Sequence, residues 1–534
     1  MSEKNLGTSD LRDPATDPTA SYALEPGYVR SLTHAVLSTT GRTAPTYAPA
    51  NGQPLGVVPQ SSAADVAEAF ERARRAQRAW ARTSLAERSA ILLRLHDLVL
   101  DRQAEILDLI CWESGKARKH AFDEPLHIAL TARYYARTGE EHLATRRVPG
   151  LVPGLTRVDV NRIPKGVVGI ISPWNYPFTL ALCDGIPALM AGNAVVAKPD
   201  SQTMLTALLG KRLLEEAGFP ADLWQVVAGP GSEIGTAIVE RADYVCFTGS
   251  TATGRLIAQQ CAERLVGCSL ELGGKNPILV LRDADLDRAA EGAVRASFSN
   301  AGQLCVSTER MFVADQVYDR FVEKLVARTE AMVLRPGIEW GSDMGSLTSR
   351  QQLEAVTAHV DDARAHGARV LTGGKPRPDL GPCYYEPTIL EGVTPEMQCF
   401  GNETFGPVVS LYRFSDEADA VARANDGEYG LNGSIYTRDT ARGRALAAQV
   451  RCGTVNVNEA FGATFASIAA PMGGMRESGL GRRQGAEGIH RYTETQSVAT
   501  QRLIRLSPML GMSDETFAKV MTANLRLLNK LGRK

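Results

Sequence analysis

The hydrophobic pattern of this chain changes period near its first third. From Ser62 to Ala81, Ala64, Val66, Ala67, Phe70 and Ala73 recur at helical spacing among charged residues. A second helical stretch covers Leu85 to Leu109. Such stripes predict helices packed on the outside of a sheet. From Gly166 the stripes give way to short apolar runs: Val167–Ser172, Asn193–Lys198, Trp224–Ala228 and Tyr244–Thr248. Runs without alternation are typical of strands buried on both faces. Helical stretches at about 178–191, 203–217 and 232–240 separate them. Strand and helix in alternation predict a parallel sheet with right-handed crossovers. A second alternating region begins near Asn276, with Pro277–Leu281 and later Thr454–Asn458, and predicts a second α/β domain. The first 50 or so residues are rich in Thr, Pro, Ser and Ala and predict an irregular arm.

At 534 residues the chain is too long for one ordinary core, so two or three domains are expected. A composition of 44% hydrophobic and 22% charged residues is that of a soluble globular protein. The net charge of -1 gives no electrostatic reason to expect a nucleic-acid partner. The polar N-terminus lacks the apolar stretch of a secretory signal, and no uncharged apolar run approaches a membrane span. The nine cysteines are scattered without a Cys-x-x-Cys pair, and the eight histidines show no ligand spacing. Neither a disulfide framework nor a metal site is indicated, and a reducing cytoplasm fits best.

In open parallel sheets, ligands bind at the carboxyl ends of the strands. Trp174 and Asn175 follow the first strand, Lys198 ends the second and Gly249 follows the fourth. Two prolines flank the loop Ser172-Pro173-Trp174-Asn175-Tyr176-Pro177, and an amide fixed there can donate to an oxyanion. In Phe247–Gly254, Gly249 permits a tight turn, and the helix start beyond it suits a phosphate. The cation in Lys198-Pro199-Asp200-Ser201 suits a ribose or phosphate. Glu403 and Phe405 lie on a turn, Asn402–Pro407, before another strand. Taken singly, each of these also fits an ordinary structural turn or a solvated side chain. Cys305 closes the small-residue stretch Phe298–Cys305, and Glu271 lies upstream in Leu270–Lys275. A thiol that attacks and a carboxylate that activates water can share one reaction, although most cysteines are small core residues.

The ordered set is more specific than its parts. Trp174-Asn175, Lys198, Gly249 to Gly254, Glu271-Leu272-Gly273-Gly274, Gly302-Gln303-Leu304-Cys305, Glu403 to Pro407 and Pro471-Met472-Gly473-Gly474 together resemble the aldehyde dehydrogenase superfamily, over about Tyr47 to Val498. The resemblance implies an α/β fold with a Rossmann-like cofactor domain (47–154 and 164–272) and an α/β catalytic domain (273–485). It also implies projecting oligomerisation strands (155–163 and 486–505), which usually give homodimers or homotetramers. An arm, 1–46, and a tail, 506–534, flank these. Cys305 is then the nucleophile, Glu271 the general base and Asn175 an oxyanion donor. Trp174, Asn175, Lys198, Pro199, Asp200, Ser201, Gly249, Ser250, Gly254, Leu272, Glu403 and Phe405 are implied to bind the cofactor. Where NAD-preferring relatives often carry a glutamate, this chain has Ser201. A serine beside Lys198 tolerates a 2′-phosphate, which favours NADP over NAD.

Over its length the chain looks most like bacterial NADP-dependent succinate-semialdehyde dehydrogenases of a divergent branch. Better understood members hold the substrate's far carboxylate with two arginines and a serine. Ser467 matches the serine, but the arginine positions are Ser299 and Cys183. Phe178, Phe461 and Phe465 suggest an apolar pocket instead, so a medium-chain or aromatic aldehyde is the rival substrate. A cysteine hydrolase or amidase could also use Cys305 and Glu271, but would need no dinucleotide loop and usually a histidine base. A CoA-acylating relative would often lack Glu271. In the tail, Ser513 can cap a helix whose Phe517, Val520, Met521, Leu525, Leu528 and Leu531 fall near one face. Lys519, Arg526, Lys530, Arg533 and Lys534 make it basic, which suits an anionic membrane, but packing on its own or a neighbouring subunit is the favoured expectation.

Overall fold

The computed structural model describes residues 23–150, 156–501, 506–508 and 511–532. Two largely parallel sheets organise it. The first has six strands in the order Gly479–Leu480, Gly267–Glu271, Tyr244–Thr248, Val167–Ile171, Ala194–Lys198 and Trp224–Val226. Every pairing is parallel except that of Gly479–Leu480 with Gly267–Glu271. The three central apolar runs are buried at nearly every position, as strands covered on both faces must be. The second sheet has seven strands in the order Arg369–Thr372, Thr388–Glu391, Val408–Phe414, Thr308–Ala314, Asn276–Val280, Asn432–Tyr436 and Thr454–Val457. Only Arg369–Thr372, at one edge, runs antiparallel. A third sheet projects as an antiparallel ribbon of Arg146–Val148, Thr156–Pro164 and Thr493–Gln501, in register from Thr493 opposite Pro164 to Gln501 opposite Thr156.

Several expectations need correction. The stretch expected as an irregular arm carries structure from Pro26 onwards; residues 1–22 lie outside the described residues. Pro26–Thr33 is a helix capped by Glu25, and it buries Val29 and Leu32. Val36 then bridges Val226 at the edge of the first sheet, and Thr43–Tyr47 pairs with Pro54–Pro59. Apolar contact with the sheet edge outweighs the loop-like composition. The helix over 85–109 breaks at Arg102 into Leu85–Asp101 and Gln103–Ser114. The helix over 178–191 divides into Pro177–Leu182 and Gly185–Met190. Ser62 does cap Ala63–Trp80 in a reciprocal box with Asp65, but Ala69 rather than Ala64 or Ala67 faces the core. The stretch assigned to the catalytic domain also sends Gly479–Leu480 back onto the first sheet, beside Glu271. In the tail, Ser513 caps the helix Asp514–Lys530, which buries no residue. Arg533 and Lys534 lie outside the described residues. Among the described residues no helix is long and apolar enough to cross a membrane, and no cluster of His, Cys, Asp or Glu is placed to hold a metal ion.

Candidate active site

Ile171, Lys198, Thr248 and Glu271 end neighbouring parallel strands on one edge of the first sheet. The loops after them therefore gather in one cleft facing the second domain. Cys305 enters from the other side. It follows a turn in which Asn300, Ala301 and Gly302 are all left-handed, at φ +51°, +53° and +71°. Such a run is costly for side-chain residues and needs outside support. The Asn300 amide donates to the backbone oxygens of Asn175 and Gln303, both at 3.0 Å, while the Gln303 side chain donates to Asn300 O and accepts from Thr348 N–H. Gly302 packs so tightly on the loop beyond Phe405 that a Cβ would lie 2.0 Å from Gly406 O. Asn175 Nδ2 donates to Gln303 O at 3.1 Å, which ties the proline-flanked loop to the thiol turn. Its Oδ1 is buried without a partner.

Burial, and next the Glu271 carboxylate, push the Cys305 thiol up to about 12; Arg483 opposes this. Burial likewise pushes Glu271 up to about 7, again against Arg483. Glu271 Oε1 has no hydrogen-bond partner and lies 3.8 Å from Arg483 Nε, which is also unpartnered. The other end of the Arg483 guanidinium is held by Asp184 at 3.2 Å and Thr248 at 3.0 Å. Asp184 also takes Arg491 at 2.6 Å, and the two arginines keep its carboxyl low despite burial. Neither Asp184 nor Arg483 stands in a sequence feature that marks it beforehand.

The cofactor candidates fall along the same cleft. Ser250 caps the helix Thr251–Glu263 through Thr253 N–H, leaving the helix start at the strand ends. Gly254 lies under Leu272, where a Cβ would clash at 2.5 Å. Glu403 Oε1 accepts from Gly274 N–H at 2.8 Å, and Gly273 has no room for a Cβ, which would meet Glu403 Oε2 at 2.5 Å. Burial and Glu309 push Glu403 up to about 8. Glu309, paired with Lys275, in turn accepts from Thr404 and Phe405 N–H and so fixes the Glu403 loop. Lys275 directly follows the Gly273-Gly274 pair; that adjacency is the one signal that could have found it. Phe405, at φ +52°, meets the Trp174 ring edge-on at 5.5 Å. Lys198 is buried at its strand end, and no ion pair holds its ammonium among the described residues. Pro199 is buried beside it, Asp200 caps the next turn through Gln202 N–H, and Ser201 is half-buried. A buried cation and a helix start suit a dinucleotide's phosphates, and the Glu403 carboxylate suits a ribose hydroxyl.

The expected substrate residues divide. Phe178 is fully buried, with its N–H on Glu124, and lines neither of the cavities described below. Tyr176 stands nearer the thiol: its ring rests on the Lys116 ammonium at 3.5 Å, and its buried hydroxyl is unpartnered within electrostatic reach of Cys305. Phe461 and Phe465 line a cavity of about 60 Å³ with His127 and Arg295, and an outer cavity of about 510 Å³ opens beside Ser299. Ser467 is exposed, its hydroxyl on Ala463 O, and lines neither cavity. Cys183 faces Arg483 at 4.0 Å rather than either cavity.

Comparison with known proteins decides what this cleft belongs to. The profile of the aldehyde dehydrogenase family matches residues 36–498. The chain belongs to the aldehyde dehydrogenase family. Among its relatives is a Mycolicibacterium smegmatis protein named "Putative succinate-semialdehyde dehydrogenase", NADP(+), 54% identical over 480 residues, which are 90% of this chain and 93% of that one. A 3-sulfolactaldehyde dehydrogenase of Pseudomonas putida is 38% identical over 469 residues, 87% and 94% of the two chains. Among solved structures, a succinate-semialdehyde dehydrogenase of Burkholderia pseudomallei matches with a TM-score of 0.83 at 35% identity, covering 92% of this chain and all of that one. This protein is thus an aldehyde dehydrogenase in fold and activity.

Proposed function

We propose that this aldehyde dehydrogenase oxidises succinate semialdehyde to succinate with NADP, using Cys305, Glu271 and Asn175. The observation that carries the chemistry is the unpartnered Glu271 oxygen in a carboxyl raised to about 7, close enough to Cys305 to raise its thiol. A base poised near neutrality can take a proton and give it up again. The Cys305 thiol passes its proton to solvent water as its sulfur bonds to the aldehyde carbon. The resulting oxyanion accepts from the second, uncommitted N–H of the Asn175 amide and from the Cys305 backbone N–H. A nicotinamide held in the cleft would supply the hydride acceptor, and loss of hydride from the carbon would leave a thioester on Cys305. Glu271 then takes a proton from a water as that water attacks the thioester. The carbon–sulfur bond breaks, and acid and thiol separate. A hydrolase reading lacks its base: among the described residues no histidine is bonded to Cys305, and burial pushes both His120 and His127 down to about 3.

The choice of NADP is supported by the name of the mycobacterial relative and by Ser201 beside Lys198, which no ion pair holds among the described residues. The choice of substrate is supported by two relatives named for aldehydes with an anionic far end. Phe461 and Phe465 in the inner cavity favour the rival, an apolar aldehyde. A panel of succinate semialdehyde, butanal, hexanal and benzaldehyde, each assayed with NAD and with NADP, separates them. A kcat/KM for succinate semialdehyde below that for hexanal would overturn the proposal.

Assembly is read from the projecting ribbon. Thr493–Gln501 is its outer strand, exposed at every position after the first, and an unpaired edge of this length invites a second copy. We take the functional unit to be a homodimer or homotetramer. The tail helix exposes Val520, Leu525 and Leu531 and is assigned to packing on a neighbouring subunit rather than to a membrane.

A further inference from the structure

We propose that Arg295 binds the anionic far end of the substrate, in place of the arginines absent at Ser299 and Cys183; this rests on the substrate reading above. The helix Leu286–Phe298 buries Ala289, Ala290, Ala293 and Ala296, so its opposite face, with Arg288, Glu291 and Arg295, turns to the outer cavity. Arg295 and Asp123 line both that cavity and the inner one beneath it, and so mark the passage between them. The inner cavity is otherwise walled by apolar groups, glycine and His127. His127 stacks on Phe465 at 4.3 Å, and burial keeps it neutral. Arg295 is therefore the cation of that wall, and Asp123, raised by burial, the acid.

Geometry connects this passage to the thiol. Ser299 follows Arg295 by one helical turn, donating to Arg295 O at 2.7 Å, and begins the turn that ends at Cys305. Arg295 therefore lies one helical turn before the segment that carries the thiol, and Ser299 and His120, which accepts from Asn300 N–H, line the same outer cavity. The Tyr176 hydroxyl, buried and unpartnered, lies within electrostatic reach of Cys305, Asp123 and Arg295 together. An aldehyde reaching Cys305 past Tyr176 thus trails its far end towards Arg295.

The guanidinium is available. It stands 5.5 Å over the Phe461 ring, and among the described residues its ion pair, with Glu459, is long at 3.7 Å and half-exposed. Such a pair contributes little and can be exchanged for a substrate anion. Gly462 leaves the space beside it open; a Cβ there would come within 3.3 Å of Nη2. A planar fork of donors over a ring suits either a carboxylate or a sulfonate.

The test uses the full-length wild type, Arg295→Met and Arg295→Lys. Succinate semialdehyde, 3-sulfolactaldehyde and butanal are compared under saturating NADP, and succinate is titrated as an inhibitor. Arg295→Met should lower the ratio of kcat/KM for succinate semialdehyde over butanal roughly 30-fold, through KM. It should weaken succinate inhibition alike, and Arg295→Lys should recover part of both. Whether the sulfonate substrate loses as much as the carboxylate tells which anion the site is built for. An unchanged ratio, or equal losses for charged and uncharged aldehydes, would overturn the role of Arg295. Failure of the wider reading looks different: the wild type itself would show no preference for the anionic aldehyde.

Discussion

Glu271 directly precedes Leu272-Gly273-Gly274, and Glu403 packs against that pair of glycines; they are proposed to serve the thiol and the cofactor ribose respectively. Burial raises both, to about 7 and about 8. They differ in how they are held. Glu403 is bonded to Gly274 N–H at 2.8 Å, and its loop is locked by Glu309 and Lys275. Glu271 has an oxygen with no partner, facing an Arg483 nitrogen 3.8 Å away that has none either. A carboxylate fixed by backbone donors is suited to positioning a ligand. One left loose near neutral pKa is suited to carrying protons. Similar burial is thus compatible with the two proposed roles, and the hydrogen bonding is what distinguishes them.

The thiol end should give the largest effects. Cys305→Ala should lower kcat by about 10,000-fold or more while cofactor binding, followed by fluorescence, stays within about twofold. Near-normal turnover would end the assignment of the nucleophile. Glu271→Gln should cost roughly 100- to 10,000-fold in steady-state turnover. It should leave a rapid burst of reduced cofactor, because only release of the acyl group needs the base. Loss of the burst would move Glu271 to the first step. The same residue fixes a pH limb. A carboxyl raised to about 7 is protonated below that pH and cannot act as a base. Wild-type kcat should therefore fall as pH drops through about 7, and Glu271→Gln should flatten that limb.

Both ends were legible in the sequence to different depths. Cys305, Glu271, Asn175 and Glu403 stand in short motifs whose glycines and prolines are needed for backbone reasons, such as the left-handed Gly302 against Gly406. Strand ends could be located because runs buried on both faces are apolar throughout. What supports the motifs was not legible. Asp184, Arg483 and Glu309 act through contacts far apart in sequence, and a buried ion pair looks like surface charge until the fold is known. Phe178 was placed in the pocket because it is aromatic and near Asn175, but the helix Pro177–Leu182 is buried at all its positions and turns it into the core. The arm was misread because composition does not register Val29, Leu32 and Val36 closing a sheet edge.

At the ribose end, removing charge should matter less. Glu403→Gln keeps an oxygen that can accept from Gly274 N–H, so the loop should stand. What it loses is a charge-assisted bond to ribose hydroxyls, about tenfold in KM for the cofactor. The comparison of the two carboxylates breaks if this variant instead loses as much kcat as Glu271→Gln.

The smallest effect on turnover is expected at Ser201, outside the bonded network. Ser201 is half-buried after Asp200, whose side chain is committed to Gln202 N–H. A glutamate at 201 therefore needs no rearrangement of the cap. It would put a carboxylate near Lys198, the strand-end cation taken to face the adenosine ribose. A carboxylate there accepts from a 2′-hydroxyl and repels a 2′-phosphate, so the two cofactors respond in opposite directions. Ser201→Glu should shift the ratio of kcat/KM for NADP over NAD by roughly tenfold towards NAD, with little change in the burst at saturating cofactor. Parallel initial rates with NAD and NADP measure it. An unchanged ratio would mean that Ser201 does not face the ribose, and that cofactor choice lies with Lys198 alone.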